Sequence, residues 1–152
     1  MNPHFLYNAL NSIQSFITTN DASTASKYLA KFAMLMRRSL EYTNREYITL
    51  EDEILFLSDY LDINCHLRFD GQLSFNVDVQ GELEEDIMGV PTMILQPCVE
   101  NAIEHGLRTR PKGHIQVTFT PIPGDDDNII ATVTDDGIGR ARVREMQEND
   151  VI

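Results

Sequence analysis

The spacing of apolar residues first changes between Leu67 and Leu73, and this change constrains the fold more than any other feature. Up to Leu67, apolar residues recur every three or four positions, which is the period of an amphipathic helix. From Leu73 to Val79 they alternate with polar residues, which is the period of a half-buried strand. The sequence therefore predicts an α+β fold in which a helical part precedes a part with a sheet.

The helical part divides into three predicted helices. Apolar stripes cover residues 6–17 and 25–40, and the polar residues 18–21 between them supply turn and capping groups. Two such helices form an antiparallel hairpin that leaves part of each stripe uncovered, so we expect half of a dimeric four-helix bundle, formed by a homodimer. The third helix is expected to begin at the capping-box residues 49–52 and to end at Gly71.

The second part combines a helix with a hairpin. Pro91 is suited to a helix start and Gly106 to a helix stop, so a helix is predicted between them. Pro97 interrupts this segment, and we expect a kink or a short preceding turn there. Alternating residues at 115–119 and 129–133 predict two strands joined by an acidic loop, which we interpret as a solvated turn.

The charge excludes several classes of partner. The chain carries 24 acidic and 12 basic residues, and its net charge of −12 repels nucleic-acid backbones and anionic lipid surfaces. A nucleotide remains possible, because a magnesium ion and a few directed hydrogen bonds outweigh a diffuse repulsion. Cys65 and Cys98 lack zinc-ligand spacing, and we expect reduced thiols. No apolar stretch reaches the roughly 20 residues of a membrane span.

Histidine chemistry is indicated near the start of the chain. In the segment Asn-Pro-His-Phe-Leu-Tyr-Asn-Ala-Leu-Asn-Ser-Ile, Pro3 favours a first helical turn and places His4 near the solvent, with Asn8 one turn later on the same face. An unprotonated imidazole nitrogen can attack a γ-phosphoryl group. A lone histidine in such a position is more often simply exposed or a helix cap.

Two further motifs suit a nucleotide. In Gln-Pro-Cys-Val-Glu-Asn-Ala-Ile-Glu-His-Gly, Asn101 and His105 share one helix face, and an asparagine carbonyl suits magnesium; the alternative is a polar stripe on a packed helix. In Asp-Asp-Gly-Ile-Gly, Asp135 follows a predicted strand, and Gly137 and Gly139 allow close backbone approach. The Asp-Gly pair alone is only a turn signal.

In this order, the three motifs and the segment 50–69 between them resemble the LytS/YehU family of sensor histidine kinases over nearly the whole chain. The resemblance implies that His4 is the phosphoacceptor, and that Asn8 orients the water that removes phosphate from a partner regulator. It implies that Asn101 is the magnesium ligand of the N-box and that His105 flanks the nucleotide.

The resemblance also assigns the remaining site residues. Asp135 is expected to accept a hydrogen bond from the adenine amino group, while Gly137 and Gly139 let the backbone approach the base. Glu100 is typical of the family, and a nucleotide contact, a helix cap and a salt bridge all remain open for it. Glu104 stands where a lysine is common, and basic residues just downstream are candidates to replace that cation.

At the level of the whole chain, the resemblance implies a helical hairpin followed by an incomplete GHKL-type α/β sandwich with a mixed sheet. The expected division is a dimerisation and phosphoacceptor hairpin at 1–45 and the start of an ATP-binding domain at 46–152. ATP and magnesium are the expected cofactors, and a response regulator is the expected partner. We expect a cytoplasmic portion of an inner-membrane protein, cut before the second glycine box and weakly active by itself.

Two other functions compete with this interpretation. A GHKL ATPase places a glutamate four residues before the magnesium asparagine as a base for water, but Pro97 occupies that position and cannot accept a proton. A kinase-like scaffold for dimerisation, without turnover, is favoured by the missing second glycine box. A serine kinase of the anti-sigma type would lack the His4 hairpin.

Overall fold

The computed structural model describes residues 3–19, 21–68, 73–109 and 113–135. Its helices are α1 (Pro3–Thr18), α2 (Ala22–Tyr42), α3 (Leu50–Ile63), which continues as the π-helical turn Asn64–Arg68, and α4 (Gln96–Thr109). Its strands are β1 (Tyr47–Thr49), β2 (Leu73–Val79), β3 (Gly89–Pro91), β4 (Gly113–Ile122) and β5 (Asp125–Asp135). The predicted α+β fold is confirmed.

Helices α1 and α2 pack together as the predicted hairpin. The Asp21 side chain caps α2 by accepting a hydrogen bond from the Thr24 backbone N–H at 3.3 Å. Only part of each apolar stripe is covered, since Leu35 is buried whereas Ile17 is 57% exposed and Leu40 is 73% exposed. Among the described residues, no helix is both long and apolar enough to cross a bilayer.

Helix α3 begins as the capping box predicts. The Thr49 hydroxyl oxygen accepts a hydrogen bond from the Asp52 backbone N–H at 3.1 Å. The predicted end at Gly71 lies outside the described residues, and the α-helical geometry changes to a π turn at Asn64. One face of α3 contributes Phe56, Leu57, Tyr60 and Leu61 to the core.

A mixed three-stranded sheet follows, in the order β2-β4-β5. β2 and β4 are parallel, β4 and β5 are antiparallel, and Val77, Val117 and Val133 lie in one register row across the sheet. The predicted strands are confirmed, but the acidic loop is shorter than expected. β5 already begins at Asp125, so the turn is tight and uses Gly124 at a φ of 79°.

The start of α4 corrects the sequence prediction. Pro91 ends β3, which pairs with β1, and the helix begins only at Gln96. Pro97 lies in the first turn of α4, where a backbone N–H has no helical partner, so the missing N–H of proline breaks no hydrogen bond. The short turn that we expected before Pro97 is present. Gly106 does not stop the helix, which runs to Thr109. A glycine ends a helix only if the following backbone leaves the helical conformation; inside a helix it costs only about 1 kcal/mol relative to alanine.

Candidate functional site

Helix α4 is oriented by the residues it buries. Val99, Ala102 and Ile103 are buried, and α4 packs against β4 and β5. Packing of that face leaves Asn101 and Glu104 exposed on the other. The sequence predicts this orientation correctly, because the buried positions follow the helical period.

A magnesium site at Asn101 stays a prediction, and the chemistry of this residue is compatible with it. Its side chain is exposed, so its amide oxygen can serve as one hard ligand. The described residues contain no group of three or more acidic, histidine or cysteine side chains that could hold a metal ion. Magnesium commonly needs one or two protein ligands and takes the rest from water and phosphate oxygens. A magnesium ion at Asn101 would therefore also need water or phosphate oxygens as ligands.

Glu100 has a partner on helix α3. The Tyr60 hydroxyl donates a hydrogen bond to Glu100 Oε1 at 3.3 Å, and Tyr60 is itself buried. No salt bridge of Glu100 occurs in the part of the chain that the structure describes. Of the three roles left open by the sequence, a contact with the nucleotide and a helix cap stay predictions. The observed contact fixes Glu100 relative to α3.

Asp135 lies at the end of β5, opposite Ile115 of β4. Its side chain is buried, and α4 packs against the same strand. A carboxyl group at the edge of a core makes stronger directed hydrogen bonds than one in water, which suits recognition of a base. Gly137 and Gly139 lie outside the described residues, so their expected approach to the base stays a prediction.

The motif for which the sequence predicts a phosphoacceptor lies on α1. The helix begins at Pro3, His4 follows in the first turn, and Asn8 lies one turn later. The side chains of His4, Asn8 and His105 lie outside the described part of the structure, so their predicted roles stay predictions. The backbone nevertheless has the helix start that the proline indicates.

Sequence reasoning missed Glu53, a buried carboxyl group on α3. Only 1% of its surface is exposed, and burial raises its pKa to about 7 although the backbone N–H groups of Met93 and Leu95 lower it. The signal was present in the helical period, because Leu50, Glu53, Leu57 and Tyr60 are spaced by three, four and three positions. A glutamate within an apolar stripe points toward the core.

The fold and site define a class of protein: a helical hairpin followed by a partial GHKL-like α/β domain with an exposed asparagine on its packed helix. Residues 1–73 match the family described as Histidine kinase. The chain is 32% identical over 158 residues to the sensor histidine kinase YesM of Bacillus subtilis (strain 168), covering 95% of this chain and 27% of YesM.

Two further relatives are also named as sensor proteins. The sensor protein LytS of Oceanobacillus iheyensis is 33% identical over 140 residues, which cover 91% of this chain and 23% of LytS. The sensor histidine kinase BtsS of Escherichia coli (strain K12) is 40% identical over 106 residues, which cover 70% of this chain and 18% of BtsS. The chain belongs to the LytS/YehU-type histidine kinase family, and it spans about a quarter or less of the length of these relatives.

Proposed function

We propose that the chain is the phosphoacceptor and nucleotide-binding part of a sensor histidine kinase of a two-component system. Residues 1–45 form the dimerisation hairpin with His4, and residues 46–152 begin the ATP-binding domain. Two features of the chain support this proposal. Asn101 is exposed on α4, and α1 begins with Pro3 followed by His4. The test is transfer of the labelled γ-phosphoryl group of ATP to the protein.

The proposed reaction has two steps. An unprotonated nitrogen of His4 attacks the γ-phosphorus of ATP, a P–N bond forms, the bond to the bridging oxygen breaks, and ADP leaves while the imidazole loses its proton. An aspartate carboxylate of the response regulator then attacks the phosphorus, and the P–N bond breaks. The base that takes the proton is open, since Phe5 follows the histidine.

Side chains of α4 and β5 hold the nucleotide in this proposal. The Asn101 amide oxygen would hold magnesium, which would supply positive charge next to the phosphates. Asp135 accepts a hydrogen bond from the adenine amino group, with Gly137 and Gly139 beside the base. His105 and Glu100 flank the nucleotide from the same helix.

Replacing Asn101 by alanine is expected to weaken Mg-ATP binding about tenfold or more, because a directed ligand to the ion is lost. Aspartate keeps an oxygen ligand but adds a negative charge beside the phosphates, so weaker binding is expected there from repulsion. The measurement is calorimetric titration of a kinase that contains this chain, with magnesium and with a chelator. Asn76→Ala is the matched control, since Asn76 is also exposed but lies on β2. Unchanged affinity in both Asn101 variants contradicts the N-box assignment.

Asn8→Ala is expected to keep autophosphorylation and to lose dephosphorylation of the regulator. Asn8 lies one turn from His4 on α1 and is not a base, so it can orient water without taking part in phosphoryl transfer from ATP. Both rates are measured with purified regulator. A parallel loss of the two activities indicates a structural role for Asn8 instead.

Ile17→Glu is expected to weaken dimerisation at least tenfold. Leu10 and Ile17 lie seven residues apart on one exposed stripe of α1, and burying apolar area stabilises an interface by about 25 cal/mol per Å². Ile87→Glu is the matched control, because Ile87 is 70% exposed but lies outside the hairpin. Sedimentation equilibrium measures both. A dimer that tolerates Ile17→Glu excludes this stripe as the interface.

A further inference from the structure

Helix α3 connects the α1–α2 hairpin to the turn that precedes α4. On one side, Arg38 of α2 forms an ion pair with Asp59 at 2.9 Å, and Lys31 forms another with Asp62. The segment after the hairpin is also tied to the segment before α4. The Thr92 backbone N–H donates to the Glu46 carbonyl at 3.1 Å, next to the β1–β3 pair.

The turn at residues 92–95 leads directly into α4, and it is strained. Met93 has a φ of 57°, in the left-handed region that residues with a side chain rarely adopt. Such a conformation persists only where its surroundings hold it. The Leu95 carbonyl accepts a hydrogen bond from the Val99 N–H at 3.0 Å, so the turn and the first turn of α4 are continuous.

Glu53 of α3 lies against this turn. Its carboxyl oxygens are buried, and among the described residues neither oxygen has a hydrogen-bond partner with bonding geometry. The backbone N–H groups of Met93 and Leu95 are nevertheless close enough to favour the ionised form. Helix α3 also contacts β3, which directly precedes this turn. A buried carboxyl group with unused acceptor positions therefore lies near the strained residue Met93.

We propose that Glu53 is a positioning residue whose carboxyl group holds the 92–95 turn in shape and thereby sets the place of α4. The Tyr60 hydroxyl acts on the same helix seven residues later, where it holds Glu100. The importance of this placement for a ligand rests on the proposed function, because Asn101 is carried by α4. The effect of Glu53 on the turn does not depend on the proposed function.

An apolar residue of similar size distinguishes positioning from packing. Leucine at position 53 fills the space and avoids the cost of a buried carboxyl group, but it offers the turn no acceptor. If Glu53 positions the turn, Glu53→Leu frees the turn while global stability is kept or raised. If Glu53 only fills space, the turn and the global stability change together.

The experiment measures amide hydrogen exchange of this chain by NMR, together with its urea midpoint. In Glu53→Leu, exchange at Met93 and Leu95 is expected to be about tenfold faster than in the parent, with an unchanged or higher midpoint. Glu53→Gln keeps a carbonyl acceptor and is expected to restore slow exchange. Glu51→Leu and Glu51→Gln are matched controls, since Glu51 is exposed in the first turn of the same helix.

Parent-like exchange in Glu53→Leu overturns the proposal, as does a Gln variant that exchanges as fast as the Leu variant. A lower midpoint with faster exchange throughout the chain also overturns it, because packing alone then explains the change. In a kinase that contains this chain, Mg-ATP is expected to bind about tenfold more weakly to Glu53→Leu. A parent that binds no Mg-ATP contradicts the proposed function, while amide exchange still decides the role of Glu53.

Discussion

A kinase that contains this chain with His4 replaced by glutamine is expected to take no phosphoryl group from γ-labelled ATP, whereas the parent is expected to take a label that acid removes and base leaves. Glutamine has no basic nitrogen that can attack phosphorus, so the loss is complete rather than partial. The stability of the label matters because phosphoramidates hydrolyse in acid, while serine and threonine esters resist acid. The proposed dimerisation is expected to be unchanged, since the first turn of α1 lies away from Ile17.

His66→Gln is the control for this variant. His66 lies on the π-helical turn, its side chain is exposed, and its Nδ1 lies 2.9 Å from the Asp62 carbonyl oxygen. Loss of an exposed helical histidine at that position is expected to leave the label intact. Equal label in His4→Gln and the parent would falsify the phosphoacceptor assignment. A parent that dimerises but takes no label favours the kinase-like scaffold.

The second large effect is on stability against pH. Burial raises the pKa of Glu53 from 4.5 to about 7, so in the native state this group holds its proton over a pH range where the unfolded chain has released it. Its contribution to stability is fully present below the unfolded pKa and is lost as pH rises through the folded pKa. Between pH 5 and 8, this single group is expected to reduce the free energy of unfolding by roughly 2 to 3 kcal/mol.

Urea unfolding of the parent and of Glu53→Gln at pH 5 and pH 8 isolates the contribution of Glu53 to the free energy of unfolding. Other titrating groups affect both proteins alike, so the difference between the two pH dependences belongs to Glu53. Glu51→Gln controls for the loss of an acid on α3, and it should follow the parent because Glu51 is exposed. Parallel pH curves for the parent and Glu53→Gln contradict a carboxyl group that titrates near neutrality.

Local periodicity explains which parts of the fold could be predicted. The stripes of α1 and α2, the capping box at Thr49 and the alternation in β2 each depend on residues within a few positions of one another. The exposure of Asn101 follows in the same way, because Val99, Ala102 and Ile103 define the buried face of α4. Family resemblance adds the order of the motifs, which periodicity alone cannot supply.

The elements that were missed depend on distant partners. β1 and β3 have three residues each, too short to show a period, and they form because Ile48 pairs with Val90 across more than 40 positions. That pairing extends the backbone through Pro91 and delays α4. The contact between Tyr60 and Glu100 likewise joins residues 40 positions apart. Glu53 could have been noticed, but its burial depends on the turn before α4.

The arrangement of the sheet affects how the purified chain behaves in solution. Within the described residues, β5 pairs only with β4, so the other side of this 11-residue strand presents backbone donors and acceptors to any strand that approaches. Edge-to-edge association of this kind would compete with the proposed dimerisation through the hairpin and would increase with protein concentration. Three consecutive aspartates at the start of β5 and a net charge of −12 oppose it electrostatically, and added salt weakens that opposition. Colloidal stability should therefore be greatest in dilute buffers of low ionic strength.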